Sequence, residues 1–331
     1  MSKDWKGVAV IIEQIEGVAE NISWELLGKS RELADIAKQD LLAIVLAKDA
    51  KPIAKEAIAR GANKAIYSSH DLLDHYKWET YSKVCTEILE EHKPSMLIVG
   101  ATHNGRDLAG RLAVRMKTGL TADVVRLEVK DGLLLGAVPG FGGSILAIIK
   151  CENKRPQMAT VRPGIFTAIE PDPKTKGKLI EHKTMIDPKE ITTKLLETVK
   201  IEGIDISKCE RMVAAGRGVG SDLSQIIELA DLLDAALGVT RPLCDVGLLP
   251  RDHQVGSTGV TVKPKVTINF GISGATHYVS GIQDSGIVIS INTDPEALIF
   301  DHSDYIIEGD LNEILPKLLE ILKAKLLVEA K

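Results

Sequence analysis

Short continuous apolar runs alternate with longer amphipathic segments over the first third of the chain. The short runs have the character of strands buried on both faces of a parallel sheet. The longer segments repeat apolar residues at helical spacing. Predicted strands are residues 7–12, 41–46 and 96–99, and predicted helices are residues 23–39, 51–60, 81–92 and a segment that ends near residue 117. This alternation predicts an open α/β sheet with helices on both faces.

The pattern changes near Thr121, where short β runs follow one another without helices. Asp131 and Gly132 separate two of these runs, and an Asp-Gly pair in that place is typical of a hairpin. Predicted strands are residues 124–129, 133–138, 145–150, 158–161 and 179–185. We interpret them as a mainly β extension of an N-terminal α/β domain at residues 1–190. A predicted helix at residues 189–199 leads into a linker, which we place at residues 191–207.

Strands and helices alternate again from residue 208 to residue 331. Predicted strands are residues 211–215, 238–241, 266–270, 286–291 and 305–308, and predicted helices include residues 222–237 and 310–329. A segment of this length is an ordinary size for a domain. The pattern predicts a doubly wound parallel sheet, a fold that binds ligands outside the carboxyl ends of its strands.

Polar and charged residues follow the predicted strands of this second domain. They are Arg217, Thr240, Arg241, Ser273, Asn292 and Asp310. Gly271 and Gly274 flank Ser273 and would let the backbone approach a pyrophosphate closely. A helix cap or a tight turn explains any one of these residues alone. Because they converge on one edge of one sheet, together they predict a dinucleotide site.

A long segment without periodicity, residues 245–259, interrupts the same domain. Loops of this length in a compact domain are usually functional. Gln254, Ser257 and Thr258 supply amide and hydroxyl groups that suit a polar heterocycle.

Composition excludes several other classes of protein. A net charge of −5 without a long Lys/Arg run, and only 4% aromatic residues, argue against nucleic-acid binding. No apolar run is long enough for direct membrane insertion, and no targeting segment is evident, so we expect a cytoplasmic protein. The cysteines and histidines show no metal-ligand spacing, so we predict no metal site.

Several stretches resemble the α subunit of electron-transfer flavoproteins. They are residues 155–164 (RPQMATVRPG), 214–218 (AAGRG), 254–259 (QVGSTG), 271–275 (GISGA), 291–297 (INTDPEA) and 299–305 (IFDHSDY). The resemblance runs over nearly the whole chain and is densest in the second domain. Ordered agreement of this kind is far more specific than any single motif.

The resemblance implies a FAD-containing electron carrier that pairs with a β subunit as a heterodimer. It implies flavin dehydrogenases and a quinone oxidoreductase or ferredoxin as redox partners, with membrane association only through a partner. It places Arg241 over the isoalloxazine and Thr258 near its N5 atom. The implied FAD contacts are Arg217, Thr240, Arg241, Gln254, Val255, Gly256, Ser257, Thr258, Ser273, Gly274, Ala275, Thr276, His277, Tyr278, Asn292, Asp310 and Leu311.

One position departs from the family pattern. The family commonly has Gln-His where this chain has His277 and Tyr278. A tyrosine stays neutral at pH 7 and cannot carry the positive charge of an imidazolium. Arg241, Thr258, His277 and Tyr278 are therefore the residues that we expect to tune the flavin, and our hypothesis is that its potential differs from that of the common carriers.

Three alternatives stay open at this point. The family includes NADH-dependent electron-bifurcating members whose β subunit holds a second FAD. An NAD-dependent enzyme on a similar domain would need a catalytic side chain, and the candidates His253 and His277 have no evident partner. A non-catalytic nucleotide-binding or scaffold protein is the third. No independent catalytic residue is predicted, and whether the assembly is an enzyme is left undecided.

Overall fold

The computed structural model describes residues 4–140, 145–198 and 205–329. The chain divides into two compact units, Met1–Thr198 and Val199–Lys331. The predicted linker at residues 191–207 straddles this division, and part of it lies outside the described residues.

The first unit contains twelve strands and four α-helices within its described residues. The strands are β1 (Val8–Ile12), β2 (Gln14–Ile15), β3 (Val18–Ala19), β4 (Leu41–Ala47), β5 (Lys64–Ser69), β6 (Met96–Gly100), β7 (Leu120–Val124), β8 (Arg126–Lys130), β9 (Leu133–Gly140), β10 (Ile145–Lys150), β11 (Gln157–Val161) and β12 (Lys178–Glu181). The helices are α1 (Asn21–Ala37), α2 (Lys51–Ala59), α3 (Trp78–His92) and α4 (His103–Arg115). The predicted elements of the first third of the chain are therefore confirmed, and the structure adds β5 and the two short strands β2 and β3, which the sequence did not predict.

The main sheet of the first unit has seven strands in the order β12-β5-β4-β1-β6-β11-β7, and all of its pairs are parallel. The wholly buried strand β1 shows how the core is divided. Val8, Val10 and Ile12 belong to one hydrophobic cluster, and Ala9 and Ile11 belong to another. Alternate residues of a strand face opposite sides of the sheet, so the two clusters lie on its two faces. Both clusters include helix residues, and helices therefore cover both faces.

The predicted β extension is only partly correct. Strands β8, β9 and β10 do form a separate three-stranded antiparallel sheet. Strands β7, β11 and β12, in contrast, join the main parallel sheet. All five residues of β11 are buried between β6 and β7, which is the burial expected of an internal parallel strand.

The predicted helix at residues 189–199 is wrong over its described residues. A single 3-10 turn at Pro188–Glu190 is followed by irregular backbone up to residue 198. The buried carboxylate of Glu79 accepts hydrogen bonds from the backbone N–H groups of Thr192 at 3.0 Å and Thr193 at 2.9 Å. Both threonine hydroxyls also donate to Glu79, at 2.8 Å each. A helix would need these backbone donors for its own carbonyls.

The second unit is a doubly wound domain, as predicted. Its strands are β13 (Arg211–Ala215), β14 (Ala236–Val239), β15 (Val266–Phe270), β16 (Ile287–Asn292) and β17 (Tyr305–Glu308). Its helices are α5 (Ser224–Leu232), α6 (Arg241–Asp245), α7 (Thr276–Ile282) and α8 (Leu311–Glu329). The strand order is β14-β13-β15-β16-β17 and every pair is parallel. The order reverses between β13 and β15, which is where such sheets open a crevice.

Helix α5 is shorter than predicted because the chain turns at Asp234, whose φ is 47°. Within residues 4–140, 145–198 and 205–329, none of the helices has the length and apolar character that crossing a membrane requires.

Candidate functional site

A cavity of about 440 Å³ lies at the carboxyl edge of the second sheet. The turns that follow β13 and β15 form part of its wall, so it sits at the switch point of the fold. Its volume is within the range of small-molecule and cofactor sites. Its lining residues are Gly216, Arg217, Gly218, Thr240, Arg241, Pro242, Val255, Thr258, Gly271, Ile272, Ser273, Ala275, His277, Tyr278, Asn292 and Asp294.

Glycine allows the turns that follow β13 and β15 to touch. Gly271 has a φ of 59°, and a Cβ atom built on it would lie 2.8 Å from the Cα atom of Gly218. Gly274 has a φ of 87°, and its Cβ atom would lie 2.1 Å from the backbone nitrogen of Ile299. Both positions combine a left-handed backbone with a contact that no side chain tolerates. The glycines therefore set the shape of this side of the cavity.

Two arginines bring positive charge to the cavity. Arg217 is exposed in the turn after β13 and forms no ion pair with any residue that the structure describes. Arg241 begins α6, and its Nε donates to Oδ2 of Asp245 at 3.1 Å. Guanidinium groups are suited to phosphate oxygens and to stacking on ring planes.

A buried glutamine fixes the hydroxyl of Thr258. The Nε2 of Gln254 donates to both the carbonyl oxygen and the Oγ1 of Thr258, each at 2.9 Å. Because Oγ1 accepts this bond, the hydroxyl proton of Thr258 stays available for a ligand in the cavity. Ser257 and His277 form a second pair, with Oγ and Nδ1 2.8 Å apart.

Tyr278 uses its hydroxyl inside the protein. Its side chain is 4% exposed, and its Oη donates to Oδ1 of Asn269 at 2.7 Å. Asn269 in turn donates to Oγ of Ser290 at 3.1 Å, and Ser303 donates to the same Oγ at 2.7 Å. Burial raises the pKa of Tyr278, so the phenol stays neutral. The one hydroxyl proton is thus committed to Asn269 rather than to the cavity, and the neighbouring residue His277 also lines the cavity.

The cavity brings together many of the residues proposed from the sequence, but not all of them. Those that line it are Arg217, Thr240, Arg241, Val255, Thr258, Ser273, Ala275, His277, Tyr278 and Asn292. Those outside its lining are Gln254, Gly256, Ser257, Gly274, Thr276, Asp310 and Leu311.

Two of the residues outside the lining have a defined local role. Gln254 supports Thr258 from within the core. Asp310 accepts a hydrogen bond from the backbone N–H of Asn312 at 2.8 Å and so caps the start of α8.

Gly271, which the sequence analysis placed at a pyrophosphate, also lines the cavity. The other lining residues were not predicted, and they are Gly216, Gly218, Pro242, Ile272 and Asp294. Gly216 and Gly218 follow a predicted strand, and that position is the signal by which they could have been included. Pro242 could not have been included in this way, because it lies at the cavity only through the first turn of the short helix α6, which the sequence did not predict.

Family comparisons match both units. Residues 8–185 match the electron transfer flavoprotein domain, and residues 205–283 match the electron transfer flavoprotein FAD-binding domain. The chain belongs to the family of electron transfer flavoprotein α subunits. Its fold class, its FAD cofactor and its role as an electron carrier agree with the expectations from the sequence.

Curated relatives extend over almost the whole chain. The electron transfer flavoprotein subunit alpha of Megasphaera elsdenii is 42% identical over 97% of this chain and 97% of its own length. The protein FixB of Clostridium saccharobutylicum is 41% identical over 99% of both chains. Lactate dehydrogenase (NAD(+),ferredoxin) subunit LctC of Acetobacterium woodii is 39% identical over 96% of this chain and 77% of its own length.

The donors around the cavity fit FAD. Glycine turns at a switch point suit a diphosphate, and the arginines add positive charge beside it. The hydroxyls of Thr240, Thr258 and Ser273 supply neutral donors for a ribityl chain and a heterocycle. No group of three or more metal-ligand side chains occurs among the described residues.

Proposed function

We propose that this chain holds one FAD in the cavity of its second unit and pairs with an electron transfer flavoprotein β subunit. The heterodimer carries electrons from flavin dehydrogenases to a quinone-linked or ferredoxin-linked acceptor. The observation that carries the proposal is the pair of arginines, Arg217 and Arg241, at a cavity between glycine turns, within the FAD-binding domain of the family.

The turns after β13 and β15 are the proposed diphosphate site. Arg217 contributes a guanidinium that forms no ion pair with any described residue, and Ser273 contributes a hydroxyl. Because Gly271 and Gly218 have no side chains, the backbone of both turns is open to a close approach by phosphate oxygens.

Arg241 and Thr258 are the proposed ring contacts. When bound, FAD supplies the capacity to accept and release electrons. A guanidinium fixed beside the ring stabilises negative charge there. The Oγ1 of Thr258 already accepts a bond from Gln254, so this hydroxyl acts towards the ring as a proton donor.

We propose that His277 supplies the imidazole that the family commonly has at the position of Tyr278. His277 lines the cavity, whereas the hydroxyl of Tyr278 donates to Asn269. Our hypothesis of an altered flavin potential therefore rests on His277 and Tyr278. The redox potentials of the bound flavin in the wild type and in Tyr278→His test this hypothesis, and an unchanged potential would contradict it.

FAD binding by variants tests the proposed site. Replacement of Arg217 by Ala should weaken FAD binding at least about tenfold, since charge-assisted bonds to phosphate are worth roughly 1.5–3 kcal/mol. Arg211→Ala is the matched control, because Arg211 is exposed at the opposite end of β13 and pairs with Asp234. Equal FAD affinity of the two variants, measured by quenching of flavin fluorescence, would contradict the assignment of Arg217.

The first unit is the proposed partner-facing unit. Strand β10 is at the edge of its sheet, and all six of its residues are exposed on both faces. Leu146 and Ile148 are 54% and 62% exposed, which is unusual for apolar side chains on a regular strand. Leu146→Glu and Ile148→Glu should therefore weaken copurification with the β subunit without loss of FAD. Unchanged copurification would argue for another docking surface.

The domain limits and the cellular location are also proposals. We place the linker between the units at residues 191–207, with its first residues held by Glu79. We place the protein in the cytoplasm, because Cys85, Cys151, Cys209 and Cys244 are all free thiols, as expected of a reducing compartment.

An electron-bifurcating assembly is the alternative. The relative from Acetobacterium woodii carries both NAD(+) and ferredoxin in its name. A heterodimer of this alternative would contain a second flavin in the β subunit, so the number of flavins per heterodimer separates the two assignments.

A further inference from the structure

Helix α6 presents a charge pair at the wall of the cavity. Arg241 is its first residue and lines the cavity, and Asp245 is its last residue and does not. The pair spans one helical turn, with Nε of Arg241 3.1 Å from Oδ2 of Asp245. This bond occupies Nε and leaves the two terminal amino groups of Arg241 free to point at a ligand.

A second arginine holds the same carboxylate from the other side. The Nη2 of Arg251 lies 3.4 Å from Oδ1 of Asp245. The backbone around the pair is fixed, since Pro242 occupies the first turn of α6 and Leu243 is buried in the core. Asp245 is therefore placed between two guanidinium groups on a short, anchored helix.

The pair contributes little to folding. The side chains of Arg241 and Asp245 are 60% and 41% exposed, and exposed ion pairs stabilise proteins by roughly 0–1 kcal/mol. A carboxylate at this place has a larger effect on the direction and the charge of Arg241 than on stability. The bond to Nε restricts the orientation of the guanidinium, and the negative charge of Asp245 offsets part of its positive field at the cavity.

We propose that Asp245 is a positioning residue that aims Arg241 at the flavin and moderates its charge. The inference rests on the proposed FAD site. It predicts that the flavin potential depends on a carboxylate that lines no part of the cavity.

Asp245→Asn separates charge from shape. The amide keeps an oxygen that accepts from Nε of Arg241 but removes the negative charge, so the net positive field at the ring increases. A positive field stabilises the added electron. We expect the equilibrium for the first one-electron reduction to shift towards the reduced form about threefold to tenfold, where tenfold corresponds to 59 mV.

The experiment is a spectroscopic redox titration of the heterodimer with FAD bound, with variants compared in the same buffer. Asp245→Glu keeps a carboxylate and should return the potential towards that of the wild type. Asp234→Asn is the matched control, since it removes the same charge from an exposed Arg–Asp pair beside the amino end of β13. This control should leave the potential unchanged.

The outcomes separate the inference from the proposed function. If Asp245→Asn and Asp234→Asn both bind FAD and have the same flavin potential, the inference is overturned and the proposed FAD site stands. A heterodimer that neither contains FAD nor takes it up overturns both.

Discussion

The hydrogen bond between Tyr278 and Asn269 predicts a measurable loss of stability in the second unit. Tyr278→Phe removes the one donor that the described residues supply to Oδ1 of Asn269, whose side chain is 1% exposed. Leaving a buried acceptor unpaired costs roughly 1–3 kcal/mol. We therefore expect the free energy of unfolding of the second unit to fall by about 2 kcal/mol.

The double variant distinguishes this cause from a general packing defect. Asn269→Leu alone leaves the buried tyrosine hydroxyl without an acceptor and should cost a similar amount. Replacing both partners by apolar groups removes both unpaired atoms and should be much less costly than the sum. Ser290 still receives its bond from Ser303 in each variant. The expected coupling energy is about 1–2 kcal/mol.

Two optical signals allow the units to be followed separately in urea. All three tryptophans, Trp5, Trp24 and Trp78, belong to the first unit, so their fluorescence reports its unfolding. The fluorescence of FAD that is released into solution reports the unfolding of the second unit. Tyr305→Phe, which removes the hydroxyl of a 62% exposed tyrosine in the same unit, is the control. Equal midpoints for Tyr278→Phe and Tyr305→Phe would refute the reasoning.

The remaining predictions concern Glu79 and Gly271. Burial would raise the pKa of Glu79, but hydrogen bonds from Thr192 and Thr193 outweigh it and hold the pKa at about 2. Its ionised form therefore stabilises the first unit at neutral pH, and this stabilisation, about 2–3 kcal/mol, is lost as the pH falls from 4.5 towards 2. Glu79→Gln should remove that part of the pH dependence of tryptophan-detected unfolding, and an unchanged acid profile would contradict it. Gly271→Ala should weaken FAD binding severalfold, because its Cβ would lie 2.8 Å from Gly218 at a φ of 59°; wild-type affinity would show that the turn can move apart.

Local patterns predicted the elements that place the site. The apolar runs of β13 and β15 and the glycines after them were enough to place Arg217 and Ser273 at one sheet edge. The aperiodic segment at residues 245–259 supplied Thr258, and the resemblance then added His277; both residues line the cavity. These positions are predictable because they depend on strand ends, and all parallel strands end at the same edge.

Long-range pairing explains what the sequence did not predict. The periodicity of residues 189–199 suits a helix, but Glu79, over a hundred positions earlier, captures the backbone donors of Thr192 and Thr193. Tyr278 lines the cavity as the resemblance implied, but no local signal shows that its hydroxyl donates to Asn269, inside β15. The strands after Thr121 were grouped together, although β11 lies between β6 and β7 in the main parallel sheet.

An anaerobic reductive titration of the copurified heterodimer, with flavin counted per heterodimer, tests the central claim most directly. The account predicts one FAD per heterodimer, bound to this chain. Arg217→Ala should weaken or abolish the binding of this FAD, whereas Arg211→Ala should leave it unchanged. Two flavins, one of them reduced by NADH in a two-electron step, would establish the bifurcating alternative. A heterodimer without flavin, or with a flavin that is insensitive to Arg217, Arg241 and Gly271, would contradict the proposed site.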